Sequence, residues 1–136
     1  TLNWLTANPV ASVLAFDITR TLYTSAAVNA IYELFPNRSV TLLTGDSALS
    51  VPNYSKLIYG SATPNRDNSA QANTAGSLKY NLIFIDGNHE HEGALRDIAN
   101  LAVYANTTYH HIIVDDGLHP EVRQAWDDAV KMGIVR

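Results

Sequence analysis

Four short apolar runs, each leading into an aspartate, three of them followed by a segment of helical periodicity, limit what this chain can fold into. The runs are residues 11–16, 40–43, 80–85 and 111–114. Between the first two, Ala27, Val28, Ile31, Leu34 and Phe35 fall at the spacing of one helical face, and Pro36 ends the segment. After the third run, Ala94, Leu95, Ile98, Leu101 and Ala102 repeat the pattern. After the fourth, Val122, Ala125, Trp126, Ala129 and Val130 do so again, framed by Pro120 at the first turn and Gly133 just past the end. Strands that alternate with helices and are apolar on both faces indicate a parallel sheet covered on both sides, so the expected class is α/β.

A chain of 136 residues, 46% of them hydrophobic, is long enough for one domain with its own core, spanning 1–136. Its net charge of −4 and nine scattered Lys and Arg offer nucleic acid no basic footprint, so a small-molecule substrate is expected instead. Without cysteine, a disulfide scaffold, a thiolate nucleophile and a Cys-ligated zinc site are excluded, and a reducing cytoplasm is the default compartment. No run approaches the roughly 20 apolar residues of a membrane-spanning helix. No basic segment leads into an apolar one at the N-terminus either, so no membrane association is expected. The chain starts at Thr1 without a Met, residues 1–8 read as the tail of a helix, and Ile134-Val135 reads as the opening of a further strand, so both ends look cut. Residues 60–79, rich in Ser, Asn, Ala and Thr with almost nothing to bury, read as a mobile insertion ahead of a functional lid.

In an open parallel sheet, ligands bind beyond the carboxyl ends of the strands. All four runs lead into acid there. Asp17 closes the first, Gly45 leads from the second into Asp46 and Ser47, Asp86-Gly87 closes the third, and Asp115-Asp116-Gly117 the fourth. Any one of these aspartates has an ordinary alternative role as a turn former or helix N-cap. Five carboxylates on one sheet edge repel one another, and they are tolerated where they hold a cation or accept hydrogen bonds from ligand hydroxyls and amines.

Val13-Leu14-Ala15-Phe16-Asp17, Leu43-Thr44-Gly45-Asp46-Ser47, Ile83-Phe84-Ile85-Asp86-Gly87-Asn88-His89 and Ile112-Ile113-Val114-Asp115-Asp116 resemble, in order and spacing, the successive strand ends of class I S-adenosylmethionine (SAM)-dependent methyltransferases. The likeness is greatest to small-molecule O-methyltransferases with an IDG-x-H turn, and it covers the chain apart from residues 60–79. It implies a doubly wound, Rossmann-like, mostly parallel sheet and methyl transfer from SAM to a small-molecule oxygen. By the same likeness Asp17 would accept hydrogen bonds from the SAM ribose, Asp46 with Ser47 beside it would sit at the adenine, and Asp86 would lie near the methionine end of the cofactor. In metal-dependent members the position of Asp86 is also a cation ligand, and Asp115 and Asp116 match the pair that completes the site. Such oxygen ligands suit Mg²⁺ or Ca²⁺. The family's central first strand and the glycine-rich loop after it have no counterpart here, so the chain is expected to be an interior fragment beginning just after that loop.

His89 reads either as the general base that takes the acceptor hydroxyl's proton, since imidazole titrates near neutral pH, or as a part-exposed residue of a helix-leading turn. His91, Glu90 and Glu92 read as solvated, His110 and His111 as strand-opening residues, and His119 as a cap for the helix starting at Pro120. Other classes fit less of the pattern. Gly45-Asp46 and Gly87-Asn88-His89-Glu90 look like parts of a dinuclear metallophosphoesterase signature, but Asp17-Ile18-Thr19 stands where that family has Asp-x-His, Leu49 where it has a second Asp, and a late Gly-His-x-His is absent. A nicotinamide-dependent dehydrogenase would share the sheet and the acid at Asp17, without any Tyr-Lys or His-Arg pair at recognisable spacing. A truncated, non-catalytic methyltransferase-like domain is the remaining alternative.

Overall fold

The computed structural model describes residues 6–8, 12–18, 23–37, 40–59 and 79–136. Residues 60–78 of the expected insertion lie outside the described residues, as do 1–5 of the N-terminal segment, of which Thr6 and Ala7 are helical. Strands and helices alternate in the order β1 (Val13–Asp17), α1 (Tyr23–Leu34), β2 (Val40–Thr44), α2 (Ser47–Tyr59), β3 (Leu82–Ile85), α3 (His91–Ala102), β4 (His111–Val114) and α4 (Pro120–Lys131). The chain is therefore mixed α/β, and its strands pair in parallel as two two-stranded sheets, β1 with β2 and β3 with β4. It divides into two compact units, Thr1–Ser50 and Val51–Arg136.

In the first unit β1 and β2 run in register from Val13 beside Val40 to Asp17 beside Thr44. The Gly45 N–H donates to the Asp17 carbonyl at 2.9 Å, carrying the ladder one residue further. Its φ of +128° then turns the chain out of β2 through a conformation that a side chain would oppose. Asp46 caps the helix that follows, its Oδ1 accepting from the Ala48 N–H at 2.9 Å. Helix α2 has no counterpart in the periodicity of the sequence. Pro52 lies inside it, where proline removes a donor and crowds the preceding turn. What sustains the helix beyond that point is packing in the second unit, where Val51 is buried, its carbonyl accepts from Tyr104 Oη at 3.0 Å, and Tyr54 faces the Tyr104 ring.

The second unit is built on β3 and β4. Ile83 and Ile85 are buried while Leu82 and Phe84 point the opposite way, the two-residue period of a strand. Helix α3 packs on β3 and against α4. Ala94 and Ile98 on α3 and Val122, Ala125 and Ala129 on α4 are buried at helical spacing, and the alanines let the two axes approach closely. Burial of Ile98 alone stabilises the unit by about 1.5–3 kcal/mol. The other face differs from the expectation of a sheet covered on both sides. Leu82, Phe84 and Ile113 remain 39%, 39% and 46% exposed there.

The ends of α3 and α4 are joined by charge. Glu90, at the N-cap of α3, makes no side-chain capping bond; Glu121 of α4 supplies one, its Oε2 accepting from the His91 N–H at 2.9 Å. A carboxylate at that helix N-terminus also meets the positive end of the macrodipole. His91 Nε2 lies 3.0 Å from Asp128 Oδ2, so His91 is half-buried against α4 and not the solvated residue that its polar neighbours suggest. Helix α4 ends in a Schellman motif, with Gly133 at φ +71°, its N–H on the Val130 carbonyl at 3.0 Å and the Ile134 N–H on Ala129 at 2.9 Å. Ile134 and Val135 thus take part in a helix cap. Among the described residues no helix is long and apolar enough to cross a membrane.

Hydrogen bonds from Lys131 and then His91 hold the Asp128 carboxyl below the usual carboxylate range, against the opposing pull of desolvation. A carboxyl whose pKa is lower folded than unfolded stabilises the fold above its ordinary value, and that contribution is lost as pH falls through the folded value. Asp128→Asn is therefore expected to lower the urea midpoint at pH 6, with the gap to wild type closing as pH drops below about 4. A gap that stays constant from pH 6 to pH 2.5 would rule the pair out as a source of stability.

Candidate functional site

The site grows from the ends of β3 and β4. Ile85 is level with Val114, and the Asp115 N–H donates to the Ile85 carbonyl at 2.8 Å, extending the pairing by one residue. The turns that follow, one starting at Asp86 and the other at Asp115, therefore leave the sheet side by side.

The first turn is set by close approaches. A Cβ on Gly87 would lie 2.5 Å from Asp97 Oδ2, so the absent side chain is what lets the buried Asp97 of α3 reach beneath the turn, where it accepts from the Asn88 N–H at 3.4 Å. Gly93 similarly leaves room for the Asn88 side chain, with which a Cβ there would overlap. Asn88 Oδ1 in turn accepts from the Glu90 N–H at 2.8 Å, a local Asx turn that leads into α3. His89 is carried outward between these two fixed points.

The second turn places Asp116 at φ +52°, in the left-handed region that Asp tolerates better than most side chains. Asp115 Oδ1 accepts from the Asp116 N–H at 2.9 Å, and the His119 N–H closes the turn on the Asp116 carbonyl at 2.7 Å. So held, Asp116 Oδ2 lies 3.0 Å from His89 Nε2, both side chains being about half exposed at 52% and 49%. The separation is that of a hydrogen bond with Nε2 as donor, an assignment that rests on the network and leaves Nδ1 as the accepting nitrogen.

Asp86, His89 and Asp116 each contribute a potential ligand atom, and these atoms lie within 4.8 Å of one another. The expected trio of Asp86, Asp115 and Asp116 is thus brought together only in part. The Asp115 side chain is engaged in its own turn, and His89 stands in the group instead. Asp17 and Asp46 occur in the first unit at the same end of the β1–β2 pair, with Asp17 part-buried, Asp46 capping α2 and Ser47 opening it.

Two residues at the site have roles that the sequence alone does not give them, Asp97 drawing no notice there and His119 reading as a helix cap. Asp97 is one, and the signal was available in the small residues Gly87 and Gly93 around Asn88, which announce tight contacts. His119 is the other. It occupies the N-cap position of α4 but makes no side-chain capping bond; its ring lies 5.8 Å from that of His89.

No family model, no curated protein and no solved structure matches this chain. The site is read on its own chemistry. An imidazole hydrogen-bonded to a carboxylate is an oriented base, and two carboxylates beside an imidazole are a donor set for a divalent cation.

The close approach at Gly87 is open to a stability test. Gly87→Ala should lower the unfolding free energy by about 1–3 kcal/mol, the usual cost of forcing atoms into a packed position. Gly117→Ala, whose Cβ would meet only the Val114 carbonyl at 4.0 Å, should cost less than about 0.5 kcal/mol, or stabilise by reducing the freedom of the unfolded chain. Urea denaturation of both variants decides it, and equal effects would show that Asp97 is free to move aside.

Proposed function

We propose that this chain is part of a SAM-dependent methyltransferase of class I, acting on a hydroxyl of a small molecule. The observation that carries the reading is the convergence of Asp86, His89 and Asp116 at the carboxyl ends of two paired parallel strands, with His89 3.0 Å from Asp116. A second observation supports it. A doubly wound sheet of that family, without its first strand, consists of one parallel pair ending in the ribose and adenine acids and another ending in the acids of the methyl-transfer site. The parallel pair β1–β2, leading into Asp17 and Asp46, and the parallel pair β3–β4, leading into Asp86 and Asp115-Asp116, support that reading.

The residues divide the work as follows. Asp17, at the end of β1, accepts hydrogen bonds from ribose hydroxyls, and Asp46 with Ser47 lies at the adenine side of the same edge. The cofactor, when bound, supplies an electrophilic methyl on a sulfonium. His89 takes the proton of the acceptor hydroxyl as the new oxygen–carbon bond forms and the sulfur–carbon bond breaks. Asp116 fixes the ring and stabilises the imidazolium that results. Asp86 lies beside both, where it orients the acceptor. Much of the rate in such a displacement comes from alignment, and a turn as tightly specified as Gly87–Glu90 suits that task.

The test uses the protein as encoded by its full reading frame, with SAM affinity measured by calorimetry and methyl transfer followed to a panel of small hydroxylated acceptors. His89→Ala should lower turnover by roughly 10²- to 10⁴-fold, the range of a lost general base, and leave SAM affinity unchanged. Asp17→Ala should weaken SAM binding. Absence of SAM binding by the wild-type protein would overturn the reading and leave a non-catalytic domain of the same architecture.

A further inference from the structure

We propose that Asp86, His89, Asp116 and His119 form a site for a divalent transition-metal ion with two nitrogen ligands, in place of the all-oxygen Mg²⁺ or Ca²⁺ site that the aspartates alone suggest. The donor set is the first argument. Hard cations such as Mg²⁺ and Ca²⁺ are held by oxygen, whereas imidazole favours zinc, iron, nickel and copper. Asp115 stands outside the converging group of ligand atoms, its Oδ1 accepting from the Asp116 N–H.

Spacing is the second argument. Atoms bonded to one ion at about 2.0–2.1 Å stand roughly 3.0 Å apart at a right angle and roughly 3.4 Å apart at the tetrahedral angle. His89 Nε2 and Asp116 Oδ2 are 3.0 Å apart, and Asp86 brings the trio within 4.8 Å, a spread that rotation of exposed side chains closes. His119 supplies an independent observation. Its side chain is exposed and unused as a cap, and its ring centroid lies 5.8 Å from that of His89. Two imidazoles on one ion, each bonded at about 2.1 Å, have centroids roughly 4.6–6.5 Å apart. The hydrogen bond between His89 and Asp116 is the proton-bound alternative of the same site. Proton and metal compete for one nitrogen, and an exposed pair of this kind is weak enough to be displaced.

The inference rests on the methyltransferase reading only for what the ion does there, which is to acidify and orient an acceptor hydroxyl in place of proton removal by His89, whose ring the ion then occupies. Its binding is measured without SAM or acceptor. Titrating the protein with ZnCl₂ and with MgCl₂ should give one saturable zinc site, at least about 100-fold tighter than any magnesium binding, as the affinity order for nitrogen-containing sites requires. His89→Ala and His119→Ala should each weaken zinc by at least about tenfold, the lower end of what lost support to a metal site costs. In the wild-type protein, which needs no variant to fold, zinc should shift the imidazole ¹⁵N resonances of His89 and His119 and leave those of His91, His110 and His111 in place. Magnesium binding at comparable affinity, no zinc binding below on the order of 1 mM, or shifts at other histidines would overturn the proposal. Zinc bound at these resonances in a protein that binds no SAM would leave the metal site standing and remove only its methyl-transfer role.

Discussion

Parallel pairing in register is the constraint from which the candidate site follows. Because β3 and β4 run the same way and finish level at Ile85 and Val114, the residues after both strands emerge on one edge. The additional bond from Asp115 to Ile85 keeps them level into the turns. Had the two strands run antiparallel, Asp86 and Asp116 would stand a strand's length apart, on the order of 13 Å for four residues. The first unit obeys the same rule, since the Gly45 bond to Asp17 sets that acid beside the turn that presents Asp46. Acids distributed along the chain become neighbours through topology.

Parallel strands need a crossover, and the crossover here also supports the site. Helix α3 joins β3 to β4, and its buried Asp97 reaches under the turn that bears His89. Its N-terminus is capped by Glu121 of α4, and its His91 is bonded to Asp128 of the same helix. Side chains that are themselves half exposed are thus carried on a backbone pinned from below and from the side. Catalytic or ligating groups gain from such support, because geometry held before the ligand arrives need not be organised during reaction.

Much of this was legible in the residues. Alternating apolar runs and helical faces predicted all four strands, with boundaries within two residues of those found, and three of the helices, of which α1 and α3 begin three or four residues before the first face residue read from sequence, because periodicity reports burial directly. Helix α2 was not legible, since Pro52 argues against a helix interior and the contacts that favour it, Val51 and Tyr54 with Tyr104, join residues about fifty positions apart in the chain. His91 read as solvated because its neighbours are charged. Its partner Asp128 is thirty-seven residues away, beyond the reach of any local pattern.

By itself the sequence determined the α/β class, the parallel sense of pairing and the acid at every strand end, because these depend on period, turn chemistry and the order of elements, all of which are local. Tertiary structure decided which acids meet. Asp115 and Asp116 are adjacent and chemically alike, yet one carboxylate accepts from the backbone of its own turn and stays outside the group while the other, aimed by a left-handed backbone, reaches His89. His119 is brought beside His89 by the same turn. Composition and spacing cannot separate such neighbours, because the direction of a side chain depends on backbone torsions, and those are set by contacts from elsewhere in the fold.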